Sequence, residues 1–193
     1  MKSTAQLPDG YAECMKLNLQ EDKKTALIVN LFSFALAVLM MIIGNFICPI
    51  LSLFEISNGF AELFIKCIVM CAGMIAYLVL HELVHGICMK AFGADKVKYG
   101  FTGLYAYAGS DCYFGKKTYI IIALAPIVVW GIVLLILNFI VDLNWFWIVY
   151  IIQVFNVSGA AGDLYVSFKF VHMPKSILVK DTGIEMTVYA LND

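Results

Sequence analysis

Two of the three histidines in this 193-residue chain stand four residues apart, in His81-Glu82-Leu83-Val84-His85. On a helix that spacing stacks both side chains on one face, where the two imidazoles can reach a single ion. Glu82 follows about 100° further round the helix. It points beside the ion, where a carboxylate can take a proton from an attacking water. H-E-x-x-H therefore supplies two ligands of a zinc ion and a general base within one and a half turns, the equipment of metal-assisted hydrolysis. Helical histidines can instead simply hydrogen-bond their neighbours. Against that stands the motif's place at the end of a long apolar segment, where ionisable side chains are costly to keep.

The elements that must position these residues are membrane spans. The chain is 62% hydrophobic and 14% charged, with a mean hydropathy of +0.88. That is too apolar for a soluble domain, and the length suits a single domain over 1–193. With no arginine and a formal charge of -1, it lacks the clustered basic residues that nucleic acid requires. Its six cysteines have no disulfide-scaffold spacing and read as reduced apolar fillers. Cys67 and Cys71 share a helix face, but no histidine or carboxylate accompanies them.

The fold class expected is an all-α polytopic membrane protein of four transmembrane helices, near 26–46, 61–89, 118–141 and 145–168. The first apolar stretch starts too far in, and runs too long, for a cleaved secretion signal. Pro126 should kink the third span locally, and Trp145 to Trp147 form an aromatic belt at the start of the fourth. In the loop 90–117, aromatic residues alternate between glycines in Val97 to Phe101, Leu104 to Tyr107 and Cys112 to Phe114. This reads as short strands or as an irregular interfacial loop. In the tail 169–193, Ile177 to Tyr189 reads as a hairpin. Twelve of the thirteen lysines lie in the N-terminal segment, the loop 90–117 or the tail. The positive-inside rule then puts both termini and that loop in the cytoplasm.

A catalytic zinc takes three protein ligands, and the candidates for the third are His172, Asp111, Asp142, Asp163 and Glu185. Depth separates them. With lysines as interface markers, His81 and His85 stand ~13 and ~8 Å above Lys90, and Asp163 stands ~9 Å above Lys169. Asp142 falls at the opposite face, while His172 and Asp111 lie near the cytoplasmic surface. Asp163 follows Ser158-Gly159-Ala160-Ala161-Gly162, small residues that let helices approach closely. Asn156 lies two turns deeper on nearly the same face. It could donate to a substrate carbonyl or oxyanion, or hydrogen-bond another helix.

HELVHG at the end of a membrane helix, the later ALAP segment and a Gly-Asp in the last apolar helix give the chain a family resemblance. It resembles the bacterial membrane zincin peptidases grouped as a domain of unknown function, relatives of the site-2-type intramembrane zinc metalloproteases. The likeness runs from the first span to the tail. It implies that His81, His85 and Asp163 bind zinc and that Glu82 activates water. Site-2-type enzymes also carry an Asn upstream of the Asp, with Pro three residues on. Here Asn156 is followed by Gly159, and its spacing to Asp163 is one residue shorter.

The expected function is that of a membrane-embedded zinc endopeptidase with its active site nearer the cytoplasmic face. Its partners would be the lipid bilayer and a membrane protein or peptide substrate; no feature sets an oligomeric state. The alternative is a catalytically silent zincin-like protein that binds or regulates a partner. A metal carrier fits less well, because one ionisable cluster near one face makes no path across a bilayer.

Overall fold

The computed structural model describes residues 3–55, 59–103 and 105–191. In chain order its elements are β1 (Tyr11–Leu17), α1 (Lys23–Ile47), a 3-10 turn (Ile50–Phe54), α2 (Phe60–Ala91), β2 (Lys98–Phe101), β3 (Ala106–Gly109), β4 (Tyr113–Gly115), α3 (Lys116–Ile140), α4 (Leu143–Gly159), α5 (Ala161–Val171), β5 (Leu178–Asp181) and β6 (Met186–Leu191). Of the described residues 62% are helical. Among them, four helical segments, Lys23–Ile47, Phe60–Ala91, Lys116–Ile140 and Leu143–Val171, are long and apolar enough to cross a membrane. The shortest, 25 residues, rises about 38 Å, against a hydrocarbon core of about 30 Å.

Two expectations need correction. The fourth span is two helices, α4 and α5, separated at Ala160, whose φ of -81° and ψ of 16° leave the helical region. The run Ser158 to Gly162 explains the break, since its two glycines weaken the helix just where a continuous span was expected. The Ser158 carbonyl freed at the end of α4 accepts from the Ser33 hydroxyl at 2.7 Å.

The second concerns the strands, which extend beyond the expected loop and tail to the N-terminal segment. A four-stranded antiparallel sheet has the order β1-β6-β5-β4, and β2 pairs with β3 in a separate hairpin. The strands expected in the loop and tail are present, with Leu104 and the last two residues of the tail outside the described residues. β1 was not anticipated: Tyr11 to Leu17 belongs to a mixed-charge segment without strict alternation, and its partner β6 lies some 170 residues away.

Among the described residues the chain divides into two compact units. One comprises the segment up to Val29, Leu80–Pro126 and the chain from Gly162 onward. Its core joins Met89 from α2, Tyr119, Ile122 and Ala123 from α3, and Val166 and Phe170 from α5 to Phe114, Val179 and Val188 of the sheet. The last three of these and Phe170 have no exposed surface at all. The other unit comprises Asn30–Val79 and Ile127–Ala161, with Phe146, Trp147 and Tyr150 of α4 packed on Met40 and Met41 of α1.

Candidate metal centre

His81 and His85 occupy the last third of α2, with rings 4.9 Å apart between centroids and crossed at 76°. Both are buried, with 8% and 9% exposure. Asp163 sits in the first turn of α5, a position the break at Ala160 creates, and one where the helix dipole favours an anion.

The three side chains converge. His81 Nε2 and His85 Nε2 are 3.2 Å apart, and Asp163 Oδ2 lies 3.5 and 3.6 Å from them. Ligand atoms 2.0–2.1 Å from a tetrahedral zinc stand ~3.3 Å from one another, so the triangle matches the span of three corners of such a site. His85 Nδ1 donates to the Ile122 carbonyl at 2.9 Å. A carbonyl can only accept, so this ring carries a proton on Nδ1, which leaves Nε2 as the nitrogen that can ligate an ion. Two imidazole nitrogens and a carboxylate oxygen facing one point fit a divalent cation, and they form the grouping with metal-ligand geometry found among the described residues.

Glu82, one residue on from His81, is only partly buried. Its carboxylate lies close enough to interact with both histidines and Asp163, and the Ala108 backbone N–H of β3 points to it. Gly86 completes HELVHG, and the reason is steric: a Cβ there would collide with the Tyr99 hydroxyl of β2. The glycine lets the hairpin lie against the motif.

The rival third ligands lie outside this grouping. Asp111 is exposed and paired with Lys98 at 2.7 Å, and Lys98 holds its carboxyl below the ordinary range through that hydrogen bond and its charge. Glu185 pairs with Lys16 at 2.6 Å. His172 is exposed and donates from Nδ1 to the Phe168 carbonyl at 2.9 Å. Asp142 caps α4. Asn156 is fully buried in the second unit, where it accepts from the Tyr77 hydroxyl at 3.1 Å and donates to the Ile127 carbonyl at 3.2 Å. That is the second of its two expected roles, a link between helices.

The Ile122 carbonyl behind His85 has a sequence signal in Pro126, four residues on, which lacks the N–H that would otherwise bond it.

Comparison with known proteins adds three findings. A protein of Pyrococcus woesei named "Uncharacterized 24.7 kDa protein in gap 5'region" is 32% identical over 118 residues, 58% of this chain and 51% of that protein, so the chain spans about half the length of this relative. No solved structure matches the chain. The profile of the family described as "Putative zincin peptidase" matches residues 74–178, more than half of the 193 residues, from within α2 to the start of β5, and so includes all three donors. The chain belongs to that family.

Proposed function

We propose that this protein is a membrane-embedded zinc metallopeptidase that hydrolyses peptide bonds in membrane or membrane-proximal protein substrates. The observation that carries the reading is the triangle of His81 Nε2, His85 Nε2 and Asp163 Oδ2, whose sides of 3.2, 3.5 and 3.6 Å suit a single tetrahedral ion. Zinc held there supplies a Lewis acid for the scissile carbonyl and makes water a better nucleophile near neutral pH.

The chain's own residues do the rest. Glu82 stands beside the donors on the same helix, in place to accept a proton from attacking water and hand it to the leaving nitrogen. The Ile122 carbonyl holds the His85 ring in its ligating orientation. The apolar helices keep the site in the membrane, and the surrounding lysines support a cytoplasmic orientation for the end of α2.

The test is Glu82→Gln, assayed on fluorogenic casein in detergent and on a co-expressed panel of single-span reporter proteins. The account predicts retained zinc and a loss of cleavage of about 10²-fold or more. Unchanged cleavage would end the peptidase reading. A wild-type protein that binds zinc and cleaves none of these probes would favour the silent, partner-binding alternative.

A further inference from the structure

We propose that Pro126 is a positioning residue for the metal centre, acting through the backbone of α3 on His85. The proposal rests on the metal-binding reading above. In an α-helix the N–H of residue 126 would donate to the carbonyl of residue 122. Proline has no N–H, and its ring crowds that carbonyl away from the helix axis. α3 runs from Lys116 to Ile140 with Pro126 inside it, so the Ile122 carbonyl lacks its helical donor. Ile122 is 1% exposed, and no water can replace that donor cheaply inside a membrane protein.

His85 Nδ1 takes the vacancy at 2.9 Å. One bond thus satisfies a buried carbonyl and fixes which nitrogen of His85 faces Asp163 and His81. The proline is a chemical instruction written into the third span: it withholds one backbone bond so that a side chain from the second span must supply it. The effect of Pro126 passes through a carbonyl four residues away.

The experiment compares Pro126→Ala and Pro126→Val with wild type by chelator competition for zinc in detergent. Both variants restore the N–H, and valine keeps much of the ring's volume. Loss of a hydrogen-bond partner behind a metal-bound histidine typically costs about 10–100-fold in affinity, and that weakening is expected in both variants. The thermal midpoint of the metal-free protein should hold or rise, because a helix-interior proline has been removed.

Affinity within about threefold of wild type in both variants overturns the proposal and leaves the metal reading intact. Weakening in the alanine variant alone also overturns it, since the cause is then lost packing. A wild type that takes up no zinc refutes the metal reading and this proposal together. Should neither variant fold, zinc-loaded wild type labelled with 15N-histidine decides the matter. A His85 Nδ1–H protected from exchange supports the bond to Ile122, and a freely exchanging one refutes it.

Discussion

His81, Glu82 and His85 were legible because their relation is local: four residues on a helix bring two rings to one face whatever the rest of the chain does. Asp163 was legible through a different argument, equal height above lysine markers on two spans. The partners of its rivals were not, since Asp111 to Lys98 or Glu185 to Lys16 depends on which strands pair. A further single-residue feature lies behind the site. Asp181 of β5 accepts from the Tyr119 hydroxyl and from the Gly183 N–H, and burial pushes its carboxyl pKa up in spite of them. The folded chain therefore holds this proton to higher pH than the unfolded chain, where aspartate titrates near ~3.9. Stability from this group is full below that value and is lost as pH rises through the raised one. Asp181→Asn should remove that dependence. Thermal midpoints of wild type and variant should diverge in the variant's favour as pH rises above the unfolded value of ~3.9; parallel curves would show that burial does not govern this carboxyl.

At the scale of elements, hydropathy located the four long apolar helical segments found among the described residues to within a few residues, because a helix suited to lipid must satisfy its backbone internally and so must be long and apolar. The break at Ala160 was written in Ser158-Gly159-Ala160-Ala161-Gly162, whose small residues were read only as an invitation to close packing. The break also does positional work, setting Asp163 in the first turn of a fresh helix. β1 was hidden because its strand character comes from β6, at the far end of the chain. Tertiary pairing of this kind overrides local propensity. The β5–β6 turn lies against β3, and Gly109 is the point of contact: a Cβ there would strike the Thr182 carbonyl and the Gly183 nitrogen. Both are backbone atoms, which cannot swing aside as a side chain would. Gly109→Ala should lower stability by about 1–3 kcal/mol, read as a fall in thermal midpoint, and a neutral result would mean the turn is free to move.

For the whole molecule, composition pointed to helices long and apolar enough to cross a membrane, and four such are present among the described residues, whereas the division into two units was not visible in it. The candidate centre belongs to one unit only, built from stretches some 80 residues apart in the chain. Its orientation is argued from lysine placement. An impermeant maleimide should therefore label Glu55→Cys in intact cells and Asp95→Cys only after lysis, both positions being exposed. The reverse pattern would invert the topology and move the site to the other face. Every functional statement finally depends on whether a carboxylate from α5 completes a cage begun by two histidines of α2. Elemental analysis of the purified protein, wild type beside His81→Ala and Asp163→Ala, tests this most directly. The account predicts about one zinc per wild-type chain and its loss from both variants. Zinc retained in full by Asp163→Ala, or absent from the wild type, would contradict it.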